Sequence, residues 1–258
     1  MYNKEKLKWG RSGIVGEIVA VLSGKGGTGK TSVCAGLGCA LAALGKRVLC
    51  IDCDVGLRNL DLALGLSDCG SPSFLDILQG NYSLDQATVH PQFPTLSFLT
   101  APIASVSSID GEAFGQLLSG AKAKFDFVLL DAPAGIDRGF VLCAKFAGRV
   151  LVVTGAEPAA IQDARQAADL LEQMGKTNVR LIVNRVRPRV LRSMGLTVDD
   201  VMDQAGLPVL GLVPEDVNVV LAPSYGQALL AFSKRCGAAK ACRRIAKRIV
   251  GFSVPITI

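Results

Sequence analysis

A glycine-rich segment with two lysines is the part of this sequence most able to do chemistry. The segment GKGGTGKT, residues 24–31, matches the pattern G-x-x-x-x-G-K-[ST]; it follows an apolar run and opens a helical one. Glycines let the backbone wrap closely around phosphates, and the following helix adds the positive end of its dipole. The residues predicted to bind the phosphates are Gly24, Gly26, Gly27, Thr28, Gly29, Lys30, Thr31 and Ser32.

Lys30 and Thr31 have specific tasks in such a loop. Lys30 is expected to reach the β- and γ-phosphates of a nucleotide, and Thr31 to ligate Mg²⁺ through its hydroxyl. The alternative is a glycine-rich turn that happens to contain a lysine. The position of the segment between a strand and a helix favours the phosphate-binding loop.

Carboxylates end two further apolar runs. VLLDAPAG places Asp131 in the Walker B arrangement, where it would hold Mg²⁺ through water, and LCIDCDVG supplies Asp52 and Asp54. Parallel strands gather their ligands at their carboxyl ends, so these side chains are expected to lie near the phosphate loop. Asp54 can orient or deprotonate the water that attacks the γ-phosphate. Asp52 is expected to contact the ligands of the metal rather than the metal itself. The alternative is that Asp131 or Asp54 caps a loop.

Short runs rich in Val, Ile and Leu alternate with longer helical patterns. The predicted strands are 17–23, 46–52, 95–101, 125–132, 148–155, 178–185 and 207–214. The predicted helices are 30–44, 108–120, 139–146, 158–174, 197–206 and 233–250, with a short one in 71–80 that Ser71 caps and Pro72 opens. The segment after residue 52, through GLRNLDLALGL, is expected to be irregular. Such alternation predicts a parallel sheet with helices on both faces.

Composition favours one α/β domain in a reducing cytoplasm. Half of the 258 residues are hydrophobic, and the eight cysteines stand inside apolar runs and without a signal peptide, as buried core residues do. Cys50 and Cys53 would point to opposite faces of a strand and could not readily chelate a metal.

We predict a basic N-terminal extension over 1–16, one domain over 17–250 and a short apolar tail over 251–258. No apolar stretch approaches the ~20 residues of a membrane span.

Together these motifs resemble the deviant Walker A ATPases, the family that includes MinD, ParA and the nitrogenase iron protein. The resemblance is to the MinD branch and extends over almost the whole chain, with GLRNLDL after the D-x-D as its most discriminating segment. DAPAGID, NRVRP and GLVPED also match. The resemblance implies a doubly wound, mainly parallel sheet of the P-loop NTPase class and ATP as the nucleotide. It further implies an ATPase that dimerises on ATP and helps to place the cell-division site.

The resemblance also gives a role to the second lysine of the loop, Lys25. In this family two subunits enclose two ATP molecules face to face, and the signature lysine reaches the partner's phosphates. A cation delivered in this way acts as an arginine finger does, and such fingers raise rates by about 10³–10⁵. The alternative is a solvated loop lysine.

Other site assignments rest on the resemblance alone. Asn184 matches the adenine-contacting position, and Pro214 would flank the base; a buried asparagine that satisfies local backbone is an equal alternative for Asn184. Asp137, Asp163 and Arg58 lie where the switch and partner surface would be. His90, the only histidine, is given no role.

The implied partners are a second subunit in the ATP state and a MinC-like division inhibitor, with MinE or a polar scaffold as further candidates. From the resemblance, we expect the membrane helix that MinD usually carries beyond its domain to be missing or greatly abbreviated. In 233–250 the apolar stripe is largely Ala and Cys and fits core packing better than lipid; anionic membrane remains an alternative partner. The predicted location is cytoplasmic, with peripheral contact to the inner face of the cell membrane left open.

Two other functions remain open at this point. A ParA-like or flagellar-number-regulator ATPase could use the basic residues of 1–11 and 234–248 to bind DNA, which the net charge of +6 permits but GLRNLDL disfavours for ParA. A module that merely holds ATP would have no use for Asp54 and Asp131 beside the loop.

Overall fold

The protein is built around one eight-stranded sheet. The computed structural model describes residues 16–55, 57–67, 69–103 and 109–257. The strands are β1 Glu17–Leu22, β2 Val48–Asp52, β3 Thr88–His90, β4 Phe93–Leu99, β5 Phe127–Asp131, β6 Arg149–Thr154, β7 Val179–Val186 and β8 Val209–Pro214. Their order in the sheet is β3-β4-β2-β5-β1-β6-β7-β8.

All neighbouring strands run parallel except β3 and β4, which pair antiparallel at one edge. The predicted doubly wound, mainly parallel sheet is therefore confirmed, and all seven predicted strands are present. The sequence did not predict β3, because three residues are too few to show a period of two.

Eleven α-helices and one short 3₁₀ helix, Leu84–Gln86, accompany the sheet in the described residues. They are α1 Lys30–Ala43, α2 Leu60–Leu64, α3 Phe74–Leu78, α4 Gly111–Lys124, α5 Arg138–Phe146, α6 Pro158–Gln173, α7 Pro188–Ser193, α8 Val198–Ala205, α9 Asn218–Ser224, α10 Leu229–Phe232 and α11 Gly237–Ile249. The helices missed from the sequence, α2, α7, α9 and α10, have at most seven residues and too few turns to show helical periodicity.

Two local predictions between β2 and β4 were wrong. The segment expected to be irregular contains α2, whose first N–H group, at Leu60, donates to the Asp52 carboxylate at 3.1 Å. Helix α3 is capped by Ser73 rather than Ser71. The Ser73 hydroxyl accepts from the N–H of Asp76, and the Asp76 carboxylate accepts from the N–H of Ser73, which is a complete capping box.

The core lies on both faces of the sheet. Cys53 belongs to the cluster on one face, with Leu22 and Leu130, whereas Cys50 belongs to the cluster on the other, with Val21. The two thiols therefore do point apart, as the strand period predicted, and both are buried free cysteines.

Helix α11 closes the domain by packing on α1 and β8. Its apolar stripe is fully buried, which confirms core packing for these residues: Ala238, Ala241, Cys242, Ile245 and Ile249. After α11 the chain turns back, and the Arg248 guanidinium donates to the carbonyl oxygens of Leu210 at 2.8 Å and Val254 at 2.9 Å.

The ends of the chain were predicted to be a basic extension and an apolar tail. The extension lies, apart from Gly16, outside the described residues. The tail over 251–257 is non-helical and exposes Phe252 and Ile256. No helix in the described part of the chain has the length and hydropathy needed to cross a membrane.

Candidate nucleotide-binding and hydrolysis site

The phosphate loop connects β1 to α1 at the carboxyl edge of the sheet. Gly27 and Gly29 have φ values of 81° and 82°, in the left-handed region that glycine adopts without strain. Gly29 caps α1, and the first turn of α1 contains no acidic side chain. The N-terminus of α1 therefore offers backbone N–H groups and a positive dipole end to an anion.

Gly24 is required for a different reason, which is close packing against α6. A Cβ atom at Gly24 would lie 2.2 Å from the carbonyl oxygen of Asp163. Asn184, at the end of β7, supports the loop from the other side, because its Nδ2 donates to the carbonyl oxygen of Thr28 at 2.8 Å. The open alternative for Asn184, that it satisfies backbone, is thus what the structure contains.

Beneath the loop, Lys30 and Asp131 form a buried ion pair. The Lys30 Nζ donates to Asp131 Oδ1 at 2.7 Å, and only 6% and 1% of the two side chains is exposed. Burial lowers the pKa of Lys30, but the charge and hydrogen bond of Asp131 outweigh it, so the pKa of Lys30 is raised. Burial raises the pKa of Asp131, and Lys30 and Thr31 offset this only in part.

Asp52 and Asp54 follow β2 beside this pair. The strand register sets Asp52 opposite Asp131, and the Asp52 carboxylate accepts from the N–H groups of Asp54 at 2.9 Å and Leu60 at 3.1 Å. Burial, and next the charge of Asp131, raises the pKa of Asp52 to about 7. Asp52 therefore does cap the loop after β2. Asp54 is half-buried, faces the cavity, and has its pKa raised by desolvation.

This donor set fits a divalent cation. Asp131 Oδ2 is buried and has no hydrogen-bond partner among the described residues, although the Asp131 Oδ1 atom is paired. The charges of Asp131 and Asp54 both raise the pKa of the buried Lys30, and two carboxylates beside one ammonium leave an excess of negative charge that a hard cation such as Mg²⁺ would neutralise with oxygen ligands. Thr31 and Asp131 stay the residues predicted to hold such a cation, directly and through water, and Asp52 the residue predicted to lie behind them.

Lys25 stands at the rim of the site rather than inside it. Its side chain is 46% exposed, and its Nζ lies 3.5 Å from the carboxylate of Asp163 on α6. Lys25 is thus turned outward, whereas Lys30 is committed to Asp131.

The loop opens into a cavity of about 410 Å³, within the size range of small-molecule sites. Eight residues that were given no role in the site from the sequence also line it: Ser23, Leu57, Asn59, Leu62, Ala63, Ala134, Arg185 and Pro223. Leu57, Asn59 and Leu62 belong to the GLRNLDL segment, whose position after the D-x-D was a usable signal. Arg185 belongs to the NRVRP segment and lies near the end of β7, and Pro223 lies within α9; neither of them was given a role in the site from the sequence. A second cavity, of about 470 Å³, lies at the opposite edge of the sheet beside Lys176.

The remaining predicted residues lie around this centre. Pro214 ends β8 and packs next to Gly237 rather than lining the cavity, so its contact with a base stays a prediction. Asp137 caps α5 by accepting from the N–H of Gly139 at 3.0 Å. Arg58 donates to the Thr100 hydroxyl at 3.1 Å, and His90 is a buried link between β3 and α2.

Comparisons with known proteins agree with this geometry. The model of the CobQ/CobB/MinD/ParA nucleotide-binding domain matches residues 19–230. The septum site-determining protein MinD of Synechocystis is 37% identical over 241 residues, which cover 92% of this chain and 91% of that protein. The chain belongs to the MinD family.

Solved structures of the family have the same fold. A chain of the MinC:MinD cell division protein complex of Aquifex aeolicus superposes with a TM-score of 0.86 at 34% identity, covering 94% of this chain and 98% of that one. MinD from Pyrococcus horikoshii, solved with Mg-ADP, gives 0.80 at 27% identity, covering 91% and 96%. The chain is thus a MinD-type cell-division ATPase, and the ParA-like alternative is not favoured.

Proposed function

We propose that the protein is an ATP-driven switch that helps to place the cell-division site. Two subunits associate face to face in the ATP state, and hydrolysis to ADP and phosphate separates them. The observation that carries the proposal is the pair of lysines in one loop: Lys30 is buried against Asp131, whereas Lys25 stands free of that pair at the rim.

The residues within one subunit bind the nucleotide and orient water. The loop N–H groups from Gly26 to Thr31 and the Lys30 ammonium hold the phosphates. Bound Mg²⁺, held by Thr31 and through water by Asp131, would neutralise charge on the β- and γ-phosphates. Asp54, which faces the cavity, orients the attacking water or accepts its proton.

Lys25 completes the partner's site rather than its own. Its ion pair with Asp163 is exposed, and such pairs are worth only about 0–1 kcal/mol, so dimerisation can release the lysine at little cost. Once in the partner's cavity, the Lys25 ammonium would stabilise charge on the transferring phosphoryl group. Hydrolysis then depends on the dimer.

The surface around the cavity supports a face-to-face dimer. Large apolar side chains stand exposed on α2, α9 and the segments next to them; they are Leu57, Leu62, Val217, Val220 and Tyr225. Contiguous apolar surface of this kind usually marks an interface. Because Leu57 and Leu62 also line the cavity, a partner covering them would lie across the nucleotide.

We also infer the partners and location from family membership. The Aquifex aeolicus complex contains MinC and MinD, so a MinC-like division inhibitor is the leading partner. Asp137 and Arg58 are candidate contacts, and MinE or a polar scaffold is the candidate activator. We place the protein in the cytoplasm, with peripheral attachment to anionic membrane through Phe252 and Ile256, strengthened when a dimer presents two tails. DNA is the less favoured partner.

Light scattering after size exclusion, run in Mg-ATP and in Mg-ADP, tests the switch. We expect a dimer in Mg-ATP and a monomer in Mg-ADP, together with an ATPase rate per subunit that rises with protein concentration. Lys25→Ala should keep nucleotide binding but lose at least about a hundredfold in the dimer-dependent rate. A rate independent of concentration and unchanged by Lys25→Ala would overturn the proposal.

A further inference from the structure

Arg185 has a backbone conformation that a non-glycine residue rarely adopts. Its φ is 54°, in the left-handed region, where the Cβ atom of an L-residue is crowded. The pairing of β7 with β8 shifts register between Val183 and Val186, so Arg185 lies in an irregularity at the strand end. Backbone strain of this kind persists where the surrounding structure enforces it, and it concentrates at ligand sites.

The position of Arg185 in the sheet locates it relative to the phosphates. Strand β7 is two places from β1, on the side away from β5 and β2, which carry Asp131 and Asp52. With neighbouring strands about 4.8 Å apart, β7 lies roughly 10 Å from the strand that leads into the phosphate loop. In the proposed site the metal and the terminal phosphates would lie on the β1–β5–β2 side, so Arg185 would lie toward the opposite half of the nucleotide.

The side chain of Arg185 is exposed and lines two separate cavities. One is the cavity of the phosphate loop, and the other is a small space of about 40 Å³ bordered by Ala156, Glu157 and Leu191. The loop is held by the adjacent Asn184, whose side chain donates to the Thr28 carbonyl oxygen, and Arg185 itself makes no such bond to the loop among the described residues.

We propose that Arg185 binds the nucleoside half of the nucleotide, with its guanidinium plane packed against the base. A planar guanidinium stacks on aromatic faces, and this contact needs no particular base edge. The inference rests on the proposed function, because it takes the cavity to be the nucleotide site. It explains why a long cationic side chain stands at a position that glycine would occupy without strain.

Calorimetric titration with Mg-ADP and with Mg-tripolyphosphate separates the two halves of the ligand. Arg185→Gly removes the side chain and relieves the left-handed φ, so the ligand-free variant should unfold within a few degrees of the wild type. We expect its affinity for Mg-ADP to fall about tenfold, while its affinity for Mg-tripolyphosphate stays within about twofold.

Arg189→Ala is the matched control, since Arg189 is an exposed arginine on α7 that does not line the cavity. It should bind both ligands as the wild type does. Equal loss of both ligands in Arg185→Gly, or no loss of either, would overturn the inference. Failure of the wild type itself to bind any adenine nucleotide would instead overturn the proposed function.

Discussion

Burial of the Lys30–Asp131 pair costs free energy, and the fold itself does not require a charged pair at this place. Taking two charges out of water is expensive, and a well-packed apolar pair of similar volume is often as stable or more so. The pair is explained by its position beneath the phosphate loop, where Lys30 lines the cavity and Asp131 Oδ2 has no hydrogen-bond partner among the described residues.

Asp131→Asn should therefore destabilise the ligand-free protein, because it leaves the buried Lys30 charge without its counter-charge. We expect the free energy of unfolding in urea to fall by about 3 kcal/mol. The double variant Lys30→Met/Asp131→Leu should recover most of that loss but bind no nucleotide. A double variant as unstable as the single one would mean that the pair holds the fold together.

The stability of the protein is expected to depend on pH through His90. Its Nδ1 accepts from the N–H of Gln92 at 3.1 Å, so its Nε2 carries the proton and donates to the Leu64 carbonyl oxygen at 2.9 Å. Burial lowers the pKa of His90 from its ordinary value, although the Leu64 carbonyl raises it in part. The unfolded chain therefore binds the proton more readily than the folded one.

The contribution of His90 to stability should be complete above about pH 6.5, the pKa of an unfolded histidine, and decline as the pH falls toward the lower folded value. Urea unfolding of the wild type and of His90→Gln between pH 5 and 8 measures it, with the difference between them isolating His90 from Asp52. The wild type's advantage should shrink toward acid; a difference that does not change with pH would contradict this assignment.

The role of a single site residue could be predicted from the sequence only where that residue belongs to a motif. Lys30 and Asp131 belong to two motifs at the ends of adjacent parallel strands, so their pairing follows from the sheet. Arg185 and Pro223 line the same cavity from the irregular end of β7 and from the short helix α9. No spacing in the sequence encodes those geometries.

At the scale of the element, the cap of α3 shows how local rules compete. Pro72 can open a helix, which favoured Ser71 as the cap, but Ser73 and Asp76 have the capping-box spacing and form both of its hydrogen bonds. The Ser71 hydroxyl is buried and has no hydrogen-bond partner among the described residues.

Ser73→Ala should lower the free energy of unfolding by about 1 kcal/mol, the usual cost of losing an N-cap. Ser71→Ala serves as the comparison two residues away and should change it by less than about 0.5 kcal/mol. Chemical denaturation of both variants checks the assignment. The reverse order of the two effects would reassign the cap to Ser71.

In the described part of the chain, the tail after α11 is the element that we propose for membrane contact, because it exposes Phe252 and Ile256 whereas the apolar stripe of α11 is buried in the core. We expect co-sedimentation with anionic liposomes in Mg-ATP, at moderate salt, and little in Mg-ADP, since two tails bind better than one. Phe252→Ser/Ile256→Ser should abolish it, whereas Val89→Ser, at an exposed apolar residue on β3, should not. Binding that survives loss of both tail residues would place the attachment elsewhere.

At the scale of the whole molecule, the sheet was predictable because alternating strands and helices admit few topologies. Parallel pairing and burial on both faces followed from the apolar runs, whereas the antiparallel edge strand β3 did not, since its pairing depends on β4 rather than on its own three residues. The association of two subunits does not follow from the fold of one subunit. The sequence supports it through the family resemblance, and the structure supports it through the exposed Lys25 beside exposed apolar side chains at the cavity.

Mixing two inactive variants tests the central claim, that Lys25 acts across the dimer. Lys25→Ala keeps Asp54 but delivers no lysine, and Asp54→Asn delivers Lys25 but lacks the water-orienting carboxylate. In a mixed dimer the site of the Lys25→Ala subunit has its own Asp54 and receives its partner's Lys25. An equal mixture should therefore hydrolyse ATP at about one quarter of the wild-type rate per subunit, since half of the dimers are mixed and one site in each is complete. If differently tagged subunits form mixed dimers in Mg-ATP yet the mixture hydrolyses no faster than the two variants alone, Lys25 does not act in the partner's site and the account is wrong.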